Sequence, residues 1–128
     1  MTVLDKPALA AVFARDPRVQ LAVLFGSSRD GFVRPGSDVD IGVLLAPPLS
    51  PLEFYRFYQQ TAARLKGIDP LDLVDLHSAD SILAFEALCG VRLFVRDADT
   101  MAAFTSQVAR QYEDDMLHAT AVAEHRPT

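Results

Sequence analysis

Asp38 and Asp40 are the residues of this chain best placed to do chemistry; they flank Val39 where an apolar run, residues 41–45, begins. In an extended strand alternate side chains leave from one face, so both carboxylates point the same way, roughly 6–7 Å apart at the backbone. Two such groups repel each other, and one tends to keep its proton unless a cation sits between them. Oxygen-only donors of this kind suit magnesium. Upstream, Gly26 and Ser27 close a second apolar run, residues 19–25. Glycine followed by serine lets backbone amides and a hydroxyl come close to phosphate oxygens. The chemistry implied is metal-assisted handling of a phosphorylated substrate. The competing reading is an ordinary Gly-Ser turn and a solvated strand end.

A third carboxylate is expected from residues 71–76, LDLVDL, which read as another strand. Asp72 and Asp75 are three apart and face opposite ways, so only one can join the other two. A carboxylate at Asp72, inside a Leu/Val run, is costly unless it meets a cation or hydrogen-bond donors. Asp75 is the fallback, its ordinary role being a polar strand end.

The combination is more specific than its parts. Gly26-Ser27, a ten-residue spacer, Arg34-Pro35-Gly36-Ser37-Asp38 and then Asp38-Val39-Asp40, between two apolar strands, resemble the nucleotidyltransferase superfamily with the polymerase β-like palm. The spacing is similar to that of the minimal nucleotidyltransferase (MNT) branch. Over about residues 8–120 the chain looks closest to MNT antitoxins paired with HEPN-domain toxins in prokaryotes. The resemblance implies an α/β (α+β) palm with a mixed sheet of about four strands packed against helices, in a single domain over residues 1–128. It selects Asp72 as the third ligand beside Asp38 and Asp40, together holding two magnesium ions under ATP. Gly26, Ser27, Arg34 and Ser37 become the candidate nucleotide contacts. The implied reaction is transfer of AMP from ATP to a hydroxyl, a tyrosine one, of a HEPN partner whose toxicity is thereby blocked. Two other readings stand beside it: a non-catalytic antitoxin that neutralises by binding, and an enzyme acting on a small-molecule hydroxyl. Larger relatives add domains to hold an acceptor, so a partner protein is expected to present it here.

One departure from the family pattern bears on the phosphates. Relatives often carry Gly-Ser-x-Ala-Arg-Gly, where this chain has Gly-Ser-Ser-Arg-Asp-Gly, with Asp30 at the usual arginine position. No phosphate contact is therefore carried to Arg29. Arg34 reads equally as a solvated loop arginine or a phosphate contact.

The elements that must position these residues are legible in order. Asp5-Lys6-Pro7 opens a helix that Asp16-Pro17 ends. Residues 19–25 form a strand buried on both faces, and residues 38–45 the second strand. Ser50-Pro51-Leu52-Glu53 is a capping-box opening for a helix to about Lys66, with Phe54, Phe57, Tyr58, Thr61 and Leu65 inward. Ser78 is expected to cap a short helix to about Cys89, followed by a strand over residues 91–95. A long last helix starts at Asp97 or Asp99 and turns Met101, Phe104, Val108, Tyr112 and Met116 inward. Glu113, Asp114 and Asp115 fan around that helix and cannot converge on a metal. His77, His118 and His125 have no spacing suited to zinc, and residues 124–128 read as a loose tail.

Composition limits the partners. Half of the 128 residues are hydrophobic and 23% are charged, as in a folded chain. The net charge of −5 argues against gripping long nucleic acid, though not against ATP. Cys89 is the only cysteine and reads as a buried structural thiol; with no disulfide possible, a cytoplasmic location is expected. No apolar run reaches the ~18 residues of a membrane span, and no leader is apparent.

Overall fold

The computed structural model describes residues 2–124; of the expected loose tail, residues 124–128, Glu124 ends the last helix and residues 125–128 with His125 lie outside the described residues. A short strand, β1 (Thr2–Val3), leads into α1 (Lys6–Ala14). Asp5 caps that helix by accepting a hydrogen bond from the Ala8 amide at 3.1 Å, and Pro7 sits in the first turn, where no N–H is needed. Next come β2 (Val19–Phe25), a 3-10 turn (Gly26–Ser28), β3 (Phe32–Val33) and β4 (Val39–Leu45). α2 (Pro51–Arg64) starts with the expected capping box: Ser50 Oγ accepts from the Glu53 amide, and Glu53 accepts from the Ser50 amide. β5 (Leu71–Asp75), α3 (Ser81–Leu88), β6 (Val91–Val95) and α4 (Ala98–Glu124) complete the order.

The main sheet runs β5-β4-β2-β6, with β2 antiparallel to β4 and β6, and β4 parallel to β5. This is the mixed four-stranded palm that the sequence implies. Both central strands are apolar because helices cover both faces. On one face Val39, Ile41, Val43 and Leu45 pack with Leu9 and Phe13 of α1, Phe57 of α2 and Leu65, which caps the C-terminus of α2. On the other, Leu21, Val23, Phe25 and Leu44 pack with Ala87 of α3 and Met101 of α4.

Four expectations are corrected. β4 begins at Val39, leaving Asp38 one residue before the strand. Asp80, not Ser78, caps α3: its Oδ1 accepts from the Leu83 amide at 2.8 Å, while the Ser78 hydroxyl donates to Asp75 Oδ2 in the preceding turn. The inward face of α4 ends at Tyr112, stacked on Phe85 with centroids 4.2 Å apart, and Met116 is 42% exposed. The cause is length: the eight residues of α3 span about 12 Å, against about 40 Å for the 27 of α4. Cys89 is exposed rather than buried, because α3 stops at Leu88 and its helical period turns Ala84 and Ala87 inward instead. β1 also pairs with β3, a contact that two-residue strands do not signal because they carry no periodicity.

Candidate functional site

The site is built where β2 stops. Its last residue, Phe25, pairs with Asp40, and the chain then turns through Gly26 with φ at +74°. A Cβ on Gly26 would fall 2.2 Å from Asp40 Oδ2, so only glycine lets the backbone pass this close to the carboxylate. Ser27 next to it is exposed, while Ser28 is fully buried and its hydroxyl donates to the Asp38 carbonyl at 3.3 Å. The rest of the loop is braced by Arg34. Its guanidinium donates to the Ser27 carbonyl at 2.6 Å and to the Asp30 carboxylate at 2.6 Å. That pairing holds the Asp30 carboxyl below its ordinary range, helped by the Phe32 amide. Ser37, half-buried, closes a turn by donating its amide to the Arg34 carbonyl.

Strand register brings two of the carboxylates together. β4 and β5 run parallel with Asp40 directly beside Asp72, and Val43 beside Asp75. Alternation puts Asp40, Gly42 and Leu44 on the face covered by α3 and α4, opposite Val39, Ile41 and Val43. Asp75 is occupied at the strand end, accepting from the His77 amide and the Ser78 hydroxyl. Asp38 is exposed at the entry to β4, close enough for its charge to act on Asp40. The Asp40 carboxyl is pushed up to about 6: burial is the main cause, followed by the charge and hydrogen bond of Asp72, then the charges of Asp38 and Glu86.

Glu86, on the exposed side of α3, was not singled out in the sequence, where it is one more polar position of an apolar helix. Ser28 was missed too, as the third residue of a Gly-Ser-Ser run. Among the described residues no three His, Cys, Asp or Glu side chains already stand close enough to enclose a metal ion. The donor chemistry nevertheless fits a hard divalent cation. Asp40 and Asp72 are adjacent oxygen donors with mutual repulsion that a cation relieves, and the exposed Asp38 is the third. A cleft lined by Leu4, Leu9, Val12, Leu65 and Ile68 opens behind Val39, on the opposite face, and contains none of these carboxylates. Among the described residues no helix is long and apolar enough to cross a membrane.

The profile described as "Polymerase beta, Nucleotidyltransferase" matches residues 8–99. The chain belongs to this family. It is 32% identical over 120 residues to the protein adenylyltransferase MntA of Shewanella oneidensis, covering 86% of this chain and 85% of that protein. A crystal structure of a toxin–antitoxin with AMP-PNP matches at a TM-score of 0.77 and 27% identity, over 94% of this chain and 97% of that one. A tri-AMPylated Shewanella oneidensis HEPN toxin in complex with MNT antitoxin matches at 0.70 and 25%, over 93% and 92%. The nucleotidyltransferase palm here therefore has relatives that are antitoxins.

Proposed function

We propose that this chain transfers AMP from ATP to a hydroxyl, a tyrosine one, on a HEPN toxin and is the antitoxin of that pair. The observation that carries the reading is the β4–β5 register, which sets Asp40 beside Asp72 at the Gly26 turn. It occurs in a chain 32% identical to a protein adenylyltransferase, and solved relatives include an AMP-PNP complex and an AMPylated HEPN toxin. Asp38, Asp40 and Asp72 are the residues that would hold magnesium. When bound, magnesium neutralises triphosphate charge and eases loss of the acceptor proton.

The protein's own groups do the positioning. Gly26 and Ser27 bring backbone and hydroxyl to the triphosphate, with Ser37 at the loop's other end. Arg34 reaches a phosphate oxygen only by leaving Asp30, so that ion pair competes with the nucleotide. The acceptor oxygen attacks the α-phosphorus in line, the bond to the pyrophosphate oxygen breaks, and the hydroxyl proton is lost to solvent. Alignment and charge neutralisation supply most of the rate. Residues 1–128 work as one domain, in the cytoplasm, without gripping long nucleic acid.

The test is incubation with ATP labelled at the α-phosphate and the co-expressed HEPN partner, followed by intact-mass analysis of the partner. Wild type is expected to add AMP and Asp40→Asn to add none. Transfer that survives Asp40→Asn, or a partner that stays unmodified with wild type, refutes the reading.

A further inference from the structure

Among the described residues, Ser28 and Thr61 are the buried polar side chains, and only Ser28 is completely enclosed. Burying a hydroxyl is unfavourable unless it is hydrogen-bonded, so its partner matters. That partner is the backbone carbonyl of Asp38, ten residues further on. Ser28 also uses its own carbonyl, which accepts from the Gly31 amide at 2.9 Å and closes the start of the loop. The residue thus joins the turn that carries Gly26 and Ser27 to the point where the chain enters β4.

Asp38 needs such a tie. The last β2–β4 pair is Phe25 with Asp40, so the ladder to β2 does not reach Asp38. On the β5 side the nearest restraint is the Val39 amide, which donates to the Pro70 carbonyl at 3.0 Å. Among the described residues, the Ser28 hydroxyl is the one hydrogen-bonding tie to the backbone of Asp38 from the β2 side. An exposed carboxylate on an untethered residue samples many positions, and ordering it opposes cation binding.

We infer that Ser28 is a positioning residue: its buried hydroxyl fixes the backbone of Asp38, which limits how far this carboxylate must move to join Asp40 and Asp72 on a cation. The inference rests on the proposed carboxylate site. Ser28 touches neither nucleotide nor cation; it acts through Asp38.

The experiment is direct titration of the full chain with Mn2+, read by the electron paramagnetic resonance of the free ion, without ATP or partner. Ser28→Ala is expected to weaken Mn2+ binding at least tenfold while the circular dichroism and Tm stay near wild type. Thr61→Val, at a buried threonine on the opposite face of the sheet, is expected to leave Mn2+ binding unchanged. Where Ser28→Ala does not fold, Ser28→Cys keeps the volume with a weaker donor and is expected to weaken binding severalfold. A folded Ser28 variant that binds Mn2+ like wild type overturns the role of Ser28 alone. A wild-type chain that binds no Mn2+ overturns the carboxylate site, and this inference with it.

Discussion

The two faces of β4 differ at every step. Odd-numbered positions from Val39 to Leu45 are buried against α1 and α2 in an uninterrupted apolar layer. Even-numbered positions run Asp40, Gly42, Leu44 on the face of α3 and α4, apolar at one end and acidic at the other. Neighbouring residues therefore answer to different demands. Ile41 is fully enclosed and serves packing, whereas Asp40 is half-buried among other acids and held in an unfavourable charge state. The lesson is that one strand can carry stability and chemistry at once, because the pleat keeps them apart. Local instability is tolerated on the acidic side because the opposite face is so thoroughly packed.

Substitutions on the two sides should separate these roles. The largest effect is expected from Asp40→Ala: AMP transfer falls on the order of 10^3-fold or more, as when a main charge-stabilising group is lost, with circular dichroism unchanged. Its neighbour Ile41→Ala should do the reverse, costing about 2–5 kcal/mol in urea unfolding while transfer per folded molecule is retained. An Ile41→Ala protein that is stable but inactive would break the contrast. Gly26→Ala sits on the boundary, since its new Cβ meets both a positive φ and the Asp40 carboxylate. It should lose about 1–3 kcal/mol of stability, and activity as well. Ser50→Ala removes the capping box of α2 on the packed side, and is expected to cost about 1 kcal/mol with no change in transfer.

The smallest effect concerns pH. Because the folded state raises the Asp40 carboxyl from 3.8 to about 6, it binds that proton more tightly than the unfolded chain does. Stability from this group is therefore present at low pH and lost as pH climbs from about 4 through about 6. In EDTA, Asp40→Asn should melt at a higher temperature than wild type at pH 7.5, with the gap closing by pH 4. A gap that stays constant across that range would mean Asp40 is not electrostatically strained.

Much of the machinery was legible in the chain itself. Gly26-Ser27 and Asp38-Val39-Asp40 stand out because the turn and strand that carry them are local, and local chemistry is written in consecutive residues. The Ser50–Glu53 capping box and the apolar run of β2 are read for the same reason. The tertiary structure alone supplied the rest. The family resemblance selected Asp72 over Asp75, but its place beside Asp40 rests on parallel register between strands joined through a whole helix, a long-range quantity that alternation within β5 cannot give. The burial of Ser28, the approach of Glu86 and the exposure of Cys89 arise likewise from how α3 and the 26–28 turn settle on the sheet. Sequence determined what groups were on hand and how each short element would bend; only packing decided which of them meet, because contact between distant segments is set by the whole core at once.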